Sequence, residues 1–355
     1  MVAVVLITAL IALIFNFTNG MNDAANCIAS AVATKAMNPK FAVAWAAFWQ
    51  FSALFVFDMT VASTMGKGIV SENCIDVYVI LAALIGSVLW IYACTRLGLP
   101  ISASHALVGG LIGPVWFVYG SQYLIGNGIL LIVAFIVISP VIGMVMGFFL
   151  NCLFMALFKN TPARKVDKSF RKLQYVSSAA FSLGFGGNDG QKTMGVIAIL
   201  FASAFAAEPD NPVIRFLYGN GAMASSDSFF IPIWLKVTCY GLICLGTVTG
   251  GWKVIKTLGD GLTKLYPVHG FCAEASGAAT LIMTALLGIP VSTTHTITGS
   301  IVGTGLTRGV KSVKWVTAKN IVWAWVITIP AAIVVSGLIY LAMIRWFGVP
   351  VIDIL

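Results

Sequence analysis

Long runs of this chain carry no charged residue: residues 2–15, 77–95, 124–158, 237–250 and 320–344. Several reach the roughly 20 apolar residues that an α-helix needs to cross the hydrocarbon of a bilayer. Their apolar character is continuous, whereas the strands of a membrane barrel alternate apolar and polar side chains. Charged residues make up 9% of the 355 residues, against roughly 25% in a soluble domain. So few charges cannot cover a water-facing surface of this size. The expected fold class is an all-α polytopic membrane protein.

The net charge is +9. The basic residues sit in loops between apolar spans, as they do on the cytoplasmic side of membrane proteins. No basic run is interleaved with aromatics, so nucleic acid is excluded as a partner. The seven cysteines form no CxxC pair and are read as small buried hydrophobes. The apolar N-terminus lacks a preceding basic residue and a clear cleavage site, and is read as the first span.

The chain repeats itself. Residues 98–113 read GLPISASHALVGGLIG and residues 288–303 read GIPVSTTHTITGSIVG. At an offset of 190, Gly98/Gly288, Pro100/Pro290, Ser102/Ser292, His105/His295, Gly109/Gly299 and Gly113/Gly303 coincide, as do Pro140 and Pro330. A second repeat, at an offset of 166, relates Asn22-Asp23 to Asn188-Asp189. The expected organisation is one transport domain of two repeats, residues 1–158 and 173–355, joined by a basic connector at 159–172. At matched positions the loops carry opposite charge. Lys35 and Lys40 in the first half stand against Glu208 and Asp210 in the second. Residues 64–76, with Lys67, Glu72 and Asp76, stand against 251–266, with Lys253, Lys256, Lys264 and Asp260. The tail after Arg345 holds only Asp353. Under the positive-inside rule the repeats are inverted, with both termini outside and the connector cytoplasmic. The membrane is expected to be the inner or plasma membrane of the cell.

Two kinds of segment carry chemistry. The first is Asn16-Phe17-Thr18-Asn19-Gly20-Met21-Asn22-Asp23-Ala24-Ala25-Asn26, inside an apolar run. Its Asn, Thr, Gly and Asp residues compete with helical hydrogen bonding, so the helix is expected to break here. Asp23 and Asp189 are acids within apolar segments, and such acids are functional candidates. Carboxylate and amide oxygens without thiolate or imidazole suit a hard cation, Na⁺ first; a protonatable Asp serving H⁺ coupling would read the same. The expected cation donors are Asn19, Asn22, Asp23, Asn26, Asn188, Asp189 and Gln191. The second kind is Pro100-Ile101-Ser102-Ala103-Ser104-His105 and its partner Pro290-Val291-Ser292-Thr293-Thr294-His295. Proline followed by hydroxyl residues opens a helix, and a helix N-terminus binds anions. Two such starts can clasp a tetrahedral anion. The candidate anion ligands are Ser102, Ser104, His105, Ser292, Thr293, Thr294 and His295, with Asp23, Asp189 and Gln191 in reach to accept a phosphate proton. Capping without any ligand is the alternative for the Ser and Thr residues.

These residues resemble the inorganic phosphate transporter family of Na⁺- or H⁺-coupled symporters. The resemblance rests on residues 20–26, on Gly187-Asn188-Asp189-Gly190-Gln191-Lys192-Thr193-Met194-Gly195, on residues 251–259, and on Gly270-Phe271-Cys272-Ala273-Glu274 leading to the Pro290 segment. It implies inverted repeats with helical hairpins, Na⁺ near the two Asn-Asp segments, phosphate at the hairpin tips, and a homodimer. The function to expect is import of inorganic phosphate coupled to Na⁺ or H⁺ by alternating access, with a sulfate permease as the alternative. An enzyme is not expected, since neither Gly-x-Ser-x-Gly nor His-Glu-x-x-His occurs. No cofactor is expected beyond the coupling ion. Two departures stand out: Phe185 where relatives carry histidine, and Ser63 near a position where some carry glutamate.

Overall fold

The computed structural model describes residues 1–62, 69–218 and 231–351. Ser63, Lys67 and Asp353, which enter the sequence reading, lie outside the described residues. The chain folds into helices in the order α1 Val2–Ala33, α2 Pro39–Ser52, α3 Val77–Leu97, α4 Ala103–Val118, α5 Gly126–Leu157, α6 Ala163–Ala207, α7 Pro212–Tyr218, α8 Ile233–Thr249, α9 Trp252–Asp260, α10 Pro267–Leu286, α11 Thr293–Leu306 and α12 Trp315–Phe347. Among the described residues, α1, α3, α5, α6 and α12 are each long and apolar enough to span a membrane. The helices α8 and α9 together have the same length and apolar character but are bent by 71°, the form of a broken span or a re-entrant loop. The protein is embedded in a membrane and crosses it several times.

The surface inverts the soluble pattern. Leu130, Val137 and Phe149 on α5, and Val316, Trp323 and Phe347 on α12, are exposed, while Asn, Ser, Thr and Asp residues line the interior. Lipid solvates the outer faces, and polar groups withdraw inward to find partners.

Element lengths recur. The helices α3, α4 and α5 have 21, 16 and 32 residues, and α10, α11 and α12 have 20, 14 and 33. Each short helix packs on the long helix of the other series: α4 on α12, and α11 on α5. The stretches 124–158 and 320–346 are mostly one continuous helix each, despite Pro140 and Pro330. Residues 163–172 of the basic connector form the first turns of α6.

The break expected at 16–26 is not there. The helix α1 runs unbroken from Val2 to Ala33, and α6 is likewise continuous through the second Asn-Asp pair. The glycines serve close packing instead. A Cβ on Gly20 would lie 2.1 Å from the Ile243 carbonyl oxygen, and one on Gly246 would lie 2.1 Å from that of Phe17. Small residues let membrane helices approach closely without a break. Asn16, Asn22, Asp23 and Asn26 find partners outside α1, which removes their competition with its backbone, and Thr18 bonds back to the Ile14 carbonyl within the helix. The real breaks lie between α8 and α9, and in the turns that lead into α4 and α11.

Those turns are built alike. Gly98 ends α3 with φ of 78°, and Gly288 follows α10 with φ of 68°. This left-handed conformation suits glycine and reverses the chain at a helix C-terminus. An extended stretch then leads into the next helix. Its first residue is Ala103 or Thr293, not the proline expected from sequence. On the opposite end of α3, the Asp76 carboxylate accepts from the Val79 N–H at 2.6 Å. Replacing Asp76 with Ala should destabilise the protein by about 1 kcal/mol, the usual worth of an N-cap, read as a lower melting temperature in detergent.

Candidate functional site

Ser102 and Ser292 are the N-caps of α4 and α11, and their hydroxyls accept from the His105 and His295 N–H groups at 3.4 and 3.3 Å. The capping alternative therefore describes these two hydroxyls. The two helix starts meet: the His105 and His295 rings stand edge to face, centroids 4.8 Å apart. His295 also stacks on Trp325, and Trp325 donates to the Pro100 carbonyl at 2.9 Å. Ser104, His105 and Ser292 line a small cavity with Val108, Ile132 and Phe135.

The two acids face these starts. Asp23 accepts from Asn22 at 2.7 Å and from Thr294 at 3.1 Å. The Thr293 hydroxyl lies 3.4 Å from Asp23 Oδ2 and 3.2 Å from Asp189 Oδ2, so it sits between both carboxylates. Asn26 donates to Thr294 at 3.0 Å, and Asn22 donates to the Ile101 carbonyl at 3.0 Å. Asn188 donates to the Ile289 carbonyl at 3.2 Å. All of these side chains are almost wholly buried. The amide oxygens of Asn19, Asn26 and Asn188 are buried and accept no hydrogen bond within the protein. A cluster of carboxylate and spare amide oxygens is the donor set that a hard monovalent cation takes. Among the described residues no group of three or more His, Cys, Asp and Glu side chains forms a transition-metal site.

Gln191 is the expected ligand that the structure turns elsewhere. Its Oε1 accepts from the Val61 and Ala62 N–H groups, and its Nε2 donates to the Asp58 carbonyl. All its polar atoms hold the backbone at residues 58–62. Phe185 is fully buried in an apolar cluster that includes Phe181 and Ile243.

Two residues stand in the motifs that carry the resemblance but are given no site role there. Lys192 is 2% exposed and donates to Asp189, to Ser104 at 2.7 Å and to the Val291 carbonyl at 2.6 Å. Glu274 is fully buried and accepts from Ser30 and Ser177. The signal for each is a charged residue within a largely apolar stretch, the criterion that picks out Asp23.

Residues 19–336 match a family model described as the phosphate transporter family. The chain belongs to that family. Members of the phosphate transporter family are transporters, and this chain is a transporter rather than an enzyme. It is 45% identical to a probable low-affinity inorganic phosphate transporter of Rhizobium meliloti (strain 1021), over 94% of each chain. It is 37% identical to a protein of the same description from Bacillus subtilis (strain 168), over 93% of this chain and 94% of the other. A solved structure described as the sodium-dependent phosphate transporter matches with a TM-score of 0.80 at 25% identity, covering 96% of this chain and 99% of that one.

Proposed function

We propose that this chain imports inorganic phosphate together with Na⁺ by alternating access. The observation that carries the reading is the convergence, at one buried point, of two acid-bearing helices with two helix N-termini rich in hydroxyls. Helix starts attract anions through free N–H groups and the dipole. Carboxylates and spare amide oxygens attract cations. Placed side by side in a protein interior, each set neutralises the charge that the other would bring. Taking an isolated phosphate out of water would otherwise cost many kcal/mol. Coupling follows, because neither ion is well held alone.

The choice of phosphate rests on the family and on the names of the relatives, and nothing in those comparisons supports the sulfate alternative. The choice of Na⁺ rests on the spare oxygens of Asn19, Asn26 and Asn188 and on the sodium dependence for which the structural relative is named. Phosphate would meet the hydroxyls of Ser104, Thr293 and Thr294 and the rings of His105 and His295. Na⁺ would meet Asn19, Asn22, Asp23 and Asn26 of the first half; Asn188 and Asp189 are the corresponding oxygens of the second half, where the Lys192 ammonium already bonds Asp189. The same proposal includes two inverted repeats at 1–158 and 173–355 within one transport domain. It places the termini outside and the 159–172 connector inside, on the loop charges. It takes the cell membrane as the location, a homodimer on the family resemblance, and no cofactor beyond the coupling ion.

Uptake of radiolabelled phosphate into proteoliposomes tests the reading. Accumulation that follows an imposed Na⁺ gradient and is indifferent to sulfate is the expected result. Accumulation driven by a proton gradient alone would reassign the coupling ion, and sulfate uptake without phosphate uptake would overturn the substrate. Thr294→Val keeps the side-chain shape and removes a hydroxyl bonded to Asp23 and Asn26. Losing those bonds should cost about 1–3 kcal/mol, and raise the half-saturating phosphate concentration about fivefold to 150-fold.

A further inference from the structure

Among the described residues, Lys192 and Asp189 form the one side-chain ion pair. The pair is buried among oxygens: the Nζ has three acceptors, the Asp189 carboxylate, the Ser104 hydroxyl and the Val291 carbonyl. A carboxylate, a hydroxyl and a carbonyl are also the kinds of oxygen that would hold Na⁺.

The internal repeat gives this arrangement a counterpart. At the offset of 166, Lys192 corresponds to Asn26; at the offset of 190, Ser104 corresponds to Thr294 and Ile101 to Val291. The contacts correspond as well. Lys192 donates to Ser104, and Asn26 donates to Thr294. Val291 accepts from Lys192, and Ile101 accepts from Asn22 and Thr294. The two halves therefore share one contact position for position, from 26/192 to 294/104, and in each the carbonyl at 101/291 accepts, though from Asn22 and Thr294 in one and from Lys192 in the other; they differ in charge. The first half holds Asp23 beside neutral amides. The second holds Asp189 beside an ammonium.

We propose that the Lys192 ammonium is a tethered cation, filling in the second half the oxygen set that its counterpart offers to a mobile ion. Each transport cycle then recruits a mobile cation at the Asp23 set and none at the Asp189 set. The inference rests on the cation-coupled reading above. It fits the costs of burial: a lone buried carboxylate is expensive, and a fixed ammonium offsets it in every state of the cycle. Lys192 is a positioning and charge-compensating residue in this scheme, and removing it exposes Asp189 and the spare Asn188 oxygen to a second Na⁺.

The test compares wild type, Lys192→Met and the double variant Lys192→Met/Asp189→Asn in proteoliposomes, counting radiolabelled Na⁺ and phosphate entering the same vesicles. Lys192→Met should carry one more Na⁺ per phosphate than wild type. The double variant should return to the wild-type ratio, since both charges leave together. An unchanged ratio in Lys192→Met with uptake intact overturns the proposal. So does loss of phosphate uptake in both variants at saturating Na⁺, which would make Lys192 a phosphate ligand. Where Lys192→Met alone fails to transport, melting of the purified protein decides: NaCl, compared with choline chloride, should stabilise this variant more than wild type. Equal shifts overturn the tethered-cation role. If wild type itself moves no phosphate, the transport reading fails by that arm, and the melting comparison still tests the ammonium.

Discussion

Asp23→Asn should lower cation-driven phosphate uptake about a thousandfold while leaving the protein folded in the membrane, the loss expected when about 4 kcal/mol of charge–charge attraction between neighbours 4 Å apart is removed. Asp23 lies at the centre of the first-half set, 1% exposed, with Asn22 and Thr294 donating to it. Asparagine matches its shape and keeps one acceptor oxygen. What it lacks is the charge that would hold Na⁺, and the positive charge of Na⁺ is what would make an anion tolerable nearby. Folding should survive because, among the described residues, Asp23 has no cationic partner within ion-pair distance, in contrast to Asp189, whose removal would strand the Lys192 ammonium. Breaking a buried pair from one side costs about 3–5 kcal/mol, so Asp189→Asn confounds stability with transport and Asp23→Asn does not. Uptake is measured against the amount of monodisperse protein recovered from the same membranes. Wild-type uptake by Asp23→Asn would remove Asp23 from the cation site.

The repeat is legible because its residues are chemically unusual in a membrane: Pro, Ser and His inside apolar runs stand out without any structure. The contact of His105 with His295, and of Asp23 with the Thr293 segment, is seen only once the chain is folded. Helix continuity is not legible. Residues 16–26 carry the composition of a helix break, and composition cannot say whether Gly20 loosens its own backbone or admits a neighbour. The carbonyl of Ile243, 223 positions away along the chain, decides it by lying where a Cβ would be. Gln191 misleads for a related reason. It stands near Asn188 and Asp189 on α6, but successive residues on a helix point about 100° apart, and this one faces residues 58–62. Lys192 is missed because the positive-inside rule assigns basic residues to loops, which holds for exposed lysines and not for one bonded on all sides to oxygens.

Gly299→Ala should remove most of the folded, extractable protein, because no space exists for a single carbon at that point. A Cβ on Gly299 would lie 2.0 Å from the Pro140 carbonyl oxygen, and one on Gly303 would lie 2.0 Å from that of Met144. The fit is mutual: a Cβ on Gly143 would lie 2.3 Å from the Thr296 carbonyl, and one on Gly147 would lie 2.7 Å from that of Ser300. The helices α5 and α11 thus cross on small residues spaced by four, a crossing that packs backbone directly on backbone. Ordinary non-bonded carbon contacts need about 3.5–4.0 Å, so a methyl group forces the axes apart by well over an ångström. Overpacking of this kind costs about 1–3 kcal/mol at a yielding site, and here the obstacle is backbone with no rotamer to yield. The displacement would also reach the site, since Thr293 and Thr294 begin the same 14-residue helix that Gly299 and Gly303 seat. Gly241→Ala is the matched control: a Cβ there meets nothing within 4 Å. Size-exclusion profiles and uptake of the two variants, side by side, separate the cases. Gly299→Ala protein as abundant and as active as Gly241→Ala would mean that α5 and α11 do not cross at this distance in the membrane.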